Sequence, residues 1–319
     1  MFTSATQLMV KRPWRWPAVV VVGFLACSRP MVTVPVQESL QTRLQRADSS
    51  MHRIRGENIF TFNALRTLYR ERQFEPGWSV NGRLKPCVDS MIHHLSDAEG
   101  EGLSANVYHL EQLRQLRQPR QRQRNEPLWS ADELADLDIL LSDALLLFAS
   151  HLQSGRVNPA TFDAEWHVHR DSADVVHLLA EVFDRGLVCQ RLLDLRPQHP
   201  SYRRLCSALA TYQQYAQKGG WPQVEYVAKL EPGAYSPRIS QVRRRLAVTG
   251  EWSAEQVAGD TLLYDDQLVQ SVKLFQKRHG LEEDGVIGWS TVQEMNVTAE
   301  ERCRQITVNL ERWRWLYRD

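Results

Sequence analysis

The chain has little of what usually announces chemistry. Its 319 residues hold five cysteines: Cys27, Cys87, Cys189, Cys206 and Cys303. None forms a CxxC pair and none has zinc-ligand spacing, so neither a redox dithiol nor a structural zinc site is expected. A formal net charge of +1 leaves no electrostatic footprint for nucleic acid. No run reaches the roughly 20 apolar residues that a spanning helix requires. Neither a metal nor a cofactor is expected. Hydrophobic content of 43% and charged content of 24% are those of ordinary globular protein, in a length that suits two domains or three. Tryptophan alone is abundant, at ten residues. Its ring suits cores and carbohydrate grooves alike, and most of the ten are expected in cores.

At the N-terminus, Lys11, Arg12 and Arg15 precede the apolar run Pro17 to Ala26. A basic segment followed by a short apolar one is the pattern of an export signal, here residues 1–28. The run ends Phe24-Leu25-Ala26-Cys27, which is similar to a lipobox and makes Cys27 the lipidation candidate. Cleavage after Ser28 and an uncleaved anchor are the alternatives. Cys189 and Cys206 are a pairing candidate if two helices bring them together. Residues 29–58 are polar and weakly periodic, and read as a linker.

The next stretch is helical. Asp132 to Leu152 places Leu134, Leu137, Leu140, Leu141, Leu145 and Phe148 on one side, the mark of an amphipathic helix. Ser130 with Glu133 makes a capping box at its start, and Gly155 and Pro159 stop it. Ala173–Asp184 and Ser201–Lys218 read as further helices. The second ends at Gly219-Gly220-Trp221-Pro222, which no helix crosses. Arg114, Arg117, Arg120, Arg122 and Arg124 form a basic, Gln-rich run read as a solvated loop. His93-His94 and His167-x-His169 read as surface pairs.

The last third carries the most specific pattern. Leu268, Val272 and Phe275 recur at helical spacing, and Gly280 follows where a helix terminator belongs. Asp284-Gly285 and Gly288 set two tight turns, and Thr291 opens another helical segment. The string Ser271-Val272, Phe275-Gln276, Gly280-Leu281, Asp284-Gly285, Gly288, Thr291 resembles the second half of the peptidoglycan-binding domain type 1. The resemblance implies a three-helix domain over 228–297, with Ile239, Val242, Leu246, Val272, Phe275 and Val292 in its core. Gly285 and Gly288 are expected to serve turns that need positive φ, and Asp284 to cap its turn. Gln276, Asp284, Trp289 and Thr291 are the candidate peptidoglycan-binding residues. Core packing is the first expectation for Trp289; an exposed ring would suit stacking on a glycan or a peptide stem.

Upstream strings resemble the scaffold domain of the large L,D-transpeptidases of Gram-negative bacteria. They are Tyr69 to Trp78, Ala98 to Leu103 with Tyr108-His109, Asp143-Ala-Leu, His151 to Pro159, His199 to Tyr202 and Gly219 to Pro222. The resemblance implies a mainly α protein, with a helical scaffold domain over 59–227 followed by the small domain. It also implies a periplasmic location, peptidoglycan as ligand and cell-wall synthesis proteins as partners. The membrane would be met only through the N-terminal signal or a lipid on Cys27.

Family members act through an activated cysteine thiolate with a nearby histidine and an oxyanion hole, in a Ser-His-Gly-Cys type string. That string is absent here. Cys87, Cys189, Cys206 and Cys303 lack a neighbouring His and Gly, and each is expected to be an inert thiol. Residues 298–319, with Thr298-x-x-Glu301 at the start, read as an exposed, charge-laced helix leading to a catalytic domain that the chain does not contain. Non-catalytic recognition of peptidoglycan is the leading expectation. An enzyme in its own right and a structural adaptor are the alternatives.

Overall fold

The computed structural model describes residues 33–45, 52–118, 128–158, 172–253 and 260–316. Residues 1–28 with Cys27, the basic positions Arg120, Arg122 and Arg124, and the pair His167 and His169 lie outside the described residues. Among the described residues no helix is long and apolar enough to cross a membrane.

The fold is mainly helical, as expected. Its centre is α5 (Ala131–Ser154), and both halves of the Ser130–Glu133 capping box are formed at its start. The expected one-sided helix is in fact buried around most of its circumference: Leu134, Leu137, Ile139, Leu141, Ala144 and Phe148 are all at most 1% exposed. Helices α1 (Thr33–Gln45), α2 (Phe62–Glu71), α3 (Cys87–Ser96), α4 (Leu110–Arg117) and α6 (Ser172–Arg185) pack against it. Short 3₁₀ turns at Asp97–Glu101 and Ala105–Tyr108 join α3 to α4.

The linker expected over 29–58 is a correction. Part of it is α1, and Arg53–Ile54 (β1) pairs with Glu57–Asn58 (β2) in a small hairpin, as Ser79–Val80 (β3) does with Arg83–Leu84 (β4) between α2 and α3. Val36, Leu40 and Leu44 of α1 are buried against α5. One apolar residue per turn makes a stripe too narrow to register as amphipathic periodicity, yet burying each such side chain contributes about 1.5–3 kcal/mol. Arg43 and Arg55 both reach Asp136 at 2.7 Å and fasten this segment to α5.

After α7 (Val188–Asp194), α8 (Pro200–Gln217) ends where Gly219 and Gly220 take φ of +92° and +72°, at the expected breaker. Beyond it lies the small domain, with α9 (Pro237–Thr249), α10 (Asp266–Arg278) and α11 (Trp289–Asn296). A two-stranded ribbon, β5 (Lys229–Leu230) and β6 (Ile287–Gly288), closes one side. All six expected core residues are fully buried there, together with Val224 and Met295. Arg245 is also buried. Its guanidinium lies 4.0 Å from the Trp221 ring, its Nε donates to the Met295 carbonyl, and desolvation pushes its pKa down to about 10.

The last helix, α12 (Ala299–Trp315), is a second correction. Thr298 caps it through the Glu301 amide, but the helix is not simply exposed. It returns from the small domain and packs along α8, burying Leu310 and Arg314.

Candidate functional site

The turn between α10 and α11 is built around one buried amide. Gln276 is 2% exposed. Its Oε1 accepts from the Gly285 amide at 2.9 Å, and its Nε2 donates to Asp284 Oδ1 at 2.9 Å and to the Val286 carbonyl at 3.1 Å. Thr291, 3% exposed, donates to that same carbonyl at 3.3 Å. Asp284 accepts from the Val286 amide at 2.8 Å, and this bond holds its carboxyl below the usual range. Gly285 sits at φ +73°, where a Cβ would meet Val269 at 3.0 Å. Gly280 likewise has φ +67° at the end of α10.

Three sequence expectations change here. Gln276 and Thr291 face inward, so they hold the turn and cannot line a groove. Gly288 has φ −102° and serves as the N-cap of α11, with open space where a Cβ would stand, so neither strain nor crowding demands glycine. Trp289 is 62% exposed and not in the core, because it sits at the first position of α11 on the solvent side of the ribbon.

Tyr226 is the residue that sequence reasoning missed. It is 54% exposed and lies near-parallel to Trp289, with ring centroids 6.5 Å apart and planes 25° from each other. The strand register Lys229↔Gly288 and Leu230↔Ile287 brings the two rings to one end of the ribbon. Beside them Lys229, Glu231, Pro232 and Ala234 line a cleft of about 350 Å³. Lys229 Nζ lies 2.6 Å from Glu231 Oε1. A lone Tyr more than 60 residues from its partner gives no sequence signal; only the ribbon pairs them.

A second assembly forms where α12 meets the scaffold. Tyr202 donates to Glu101, whose other oxygen is 2.8 Å from Arg196. Arg314 of α12 donates to Tyr202 Oη at 2.9 Å and to the Glu101 carbonyl. His199 stacks on Trp313, with centroids 4.5 Å apart. Glu311 accepts from the Arg156 and Val157 amides. Two glycines allow the approach. A Cβ on Gly155 would stand 2.5 Å from Glu311 and 2.7 Å from Trp315, and one on Gly102 would meet Thr307 at 3.1 Å. The upstream strings around Gly102, Gly155 and Tyr202 therefore share one task, the seating of α12. Next to this seat Phe60, Val107, Leu147, Val157, Val308 and Trp315 line an apolar depression of about 650 Å³.

Buried carboxylates organise the rest of the scaffold. Asp143 accepts from the Thr61 amide and hydroxyl at 2.7 and 2.6 Å and from the Phe60 amide at 3.2 Å. His109 lies between Asp143, at 2.8 Å, and Glu57, at 3.1 Å. Burial opposes the charge of His109, but hydrogen bonds to the two carboxylates outweigh it and raise the pKa. Asp138 receives the Gly77 and Trp78 amides and the Tyr69 hydroxyl. Burial is the main influence on its own pKa, and raises it.

Three of the described thiols, Cys87, Cys206 and Cys303, are held away from the thiolate form. Cys87, Cys189, Cys206 and Cys303 are all free, so the candidate pairing of Cys189 with Cys206 is not made. Burial and then the charge of Glu101 push the Cys206 thiol up to about 12, and burial also raises Cys87 and Cys303. A nucleophilic cysteine needs the opposite shift. Of the basic run, Arg114 and Arg117 belong to α4 and not to a loop; Arg117 is paired with Asp89, and Arg114 donates to the Ser96 hydroxyl.

Comparison with known families agrees with the division into two parts. Residues 63–209 match the family described as "Scaffold domain", and residues 237–295 match the family described as "Putative peptidoglycan binding domain". The second match includes Trp289 and the whole Gln276 turn; α12 lies outside both. No curated protein matches the chain. The chain thus joins a helical scaffold domain to a small domain of the peptidoglycan-binding type, which implies a place at the cell wall.

Proposed function

We propose that this chain is the peptidoglycan-binding and scaffolding region of an L,D-transpeptidase, without catalysis of its own. The observation that carries the reading is the return of α12. Three of the strings that resemble the transpeptidase scaffold, those around Gly102, Gly155 and Tyr202, converge on this helix, which directly follows the peptidoglycan-binding fold. The seat ties α12, which follows the small domain, to the scaffold. The scaffold domain runs over 59–227 with α1 added before it, and the binding domain over 228–297 with Val224 added to its core. Export by residues 1–28, lipidation at Cys27 and a periplasmic location complete the reading. Gln276 and Thr291 contribute by holding the turn from inside, and Asp284 caps it at the surface.

Sedimentation of the purified chain with isolated sacculi tests the binding. Co-sedimentation is expected; a chain that stays in the supernatant would refute it. Reading the DNA beyond the Asp319 codon tests the enzyme link, through a Ser-His-Gly-Cys type string in any frame. One observation favours a second reading, a structural adaptor for wall-synthesis proteins: the apolar depression beside α12, where Phe60 is 61% and Val308 50% exposed. Capture of such partners by a chain that ignores sacculi would favour that reading.

A further inference from the structure

We propose that Tyr226 and Trp289 together form the contact surface for the glycan strand of peptidoglycan, stacking on the apolar faces of its sugar rings. The inference rests on the peptidoglycan-binding reading above and adds to it which part of the polymer is held.

Exposure is the first support. Trp289 at 62% and Tyr226 at 54% are the two large aromatic rings flanking the ribbon, and neither closes a core. A single exposed apolar ring is ordinary, but two held together mark a contact surface. The arrangement is the second. At 6.5 Å between centroids and 25° between planes the rings form a stacked pair at the wide end of aromatic contact, and both stay more than half exposed. They offer open ring surface to solvent, not an enclosed hole. A peptide side chain seeks an enclosing pocket, whereas a pyranose ring presents a broad, flat C–H face with hydroxyls at its rim. Amphipathic rings match that surface, since Tyr and Trp each carry a polar handle at the edge.

Rigidity is the third. Trp289 follows β6 directly, and β6 is held by the Gln276 turn on one side and by β5 on the other. An aromatic anchor with two side-chain torsions on fixed backbone loses little entropy on binding. Gln276 and Thr291, the buried two of the polar residues that the sequence suggested as ligands, thus act as positioning residues for Trp289.

The surroundings argue against other occupants. Lys229 and Glu231, both more than half exposed, pair beside the rings and interrupt any apolar patch that a protein partner would bury. The cleft that Lys229 and Glu231 line leaves room for substituents projecting from the sugar.

The test uses the full chain, its Trp289→Ala and Tyr226→Ala variants, and Tyr226→Phe as a control that keeps the ring. Three probes are offered: intact sacculi, stem-free glycan strands from amidase digestion, and the stem peptides released by that digestion. Circular dichroism confirms that the variants fold, as substitutions at exposed positions should. The parent chain is expected to bind sacculi and glycan strands but not free stems. Each alanine variant should bind both roughly tenfold more weakly, and Tyr226→Phe close to normally. A parent chain that binds sacculi with both alanine variants unchanged overturns the platform and leaves peptidoglycan binding standing. Binding of stems in place of glycan overturns sugar stacking. No binding of sacculi by the parent refutes the reading on which the proposal depends.

Discussion

The scaffold and the α10–α11 turn of the small domain solve the same problem with opposite chemistry. Each must bury backbone groups where loops meet helices. The scaffold does it with carboxylates projecting from α5: Asp138 and Asp143 each accept several donors, and His109 completes the second set. The small domain does it with a neutral amide, Gln276, which donates and accepts in one turn. A carboxylate accepts more bonds but fixes a charge in the interior, where losing its partner is costly. An amide satisfies both kinds of backbone group at no electrostatic cost. The scaffold should therefore fail abruptly when a staple is cut, and the small domain should fail locally.

Cutting a staple is the sharpest probe of that contrast. Asp143→Ala strands the Phe60 and Thr61 amides and His109, and should destabilise the scaffold by about 3–5 kcal/mol. Chemical denaturation should show the scaffold transition moving while that of the small domain stays. The counterpart, Gln276→Leu, leaves the Gly285 amide unpaired in the interior and should cost about 2–3 kcal/mol. Proteolysis at the turn, with α5 still protected from hydrogen exchange, would show that the damage is local. Equal global loss from the two substitutions would erase the distinction.

The seat of α12 joins the two regions and is probed next. Gly155→Ala places a methyl against Glu311 and Trp315 at φ +75°, and should cost about 2 kcal/mol while releasing α12. Gly233→Ala, at φ +85° with open space around it, isolates the backbone term at about 1 kcal/mol. Hydrogen exchange along residues 299–315 should rise only in the first variant.

The histidines sharpen the comparison through pH. His109 has a raised pKa, so its contribution is complete below the unfolded value near 6.5 and is lost as pH rises through the folded value. His279, packed against Phe275 and beside Glu294, has its pKa pushed down to about 4 by burial and by Arg302. The unfolded chain binds that proton more readily, so its contribution is present above about pH 6.5 and fades as pH falls toward 4. Exchange measured at pH 5 and pH 8 should loosen the small domain at the acid end and the His109 region at the basic end. His109→Gln and His279→Gln should each flatten one slope. The smallest structural effect belongs to Trp289→Ala, expected within about 0.5 kcal/mol of the parent in stability because the ring is exposed.

Much of this was legible in the chain itself. The core of the small domain could be read because Val272 and Phe275 obey helical spacing, and the Asp284-Gly285 turn because local bonding and positive φ leave few other residues suitable. The capping box at Ser130 likewise depends on four consecutive positions. The narrow stripe of α1 escaped notice because one apolar residue per turn resembles a polar linker. Of the candidate ligand-binding residues, Gln276 and Thr291 face into the turn while Asp284 and Trp289 face solvent. Periodicity says that Gln276 and Thr291 are near the turn, not whether they point into it.

What the sequence determined by itself is whatever rests on neighbours within about one or two helical turns: helix extents, caps, breakers and turn type. What only the tertiary structure decided rests on partners far apart in the chain. Glu311 meets the amides of Arg156 and Val157, Arg314 meets Glu101, and Tyr226 comes alongside Trp289. Local composition cannot encode such meetings, because the free energy that selects them comes from burying distant surfaces against each other and satisfying the polar groups caught between.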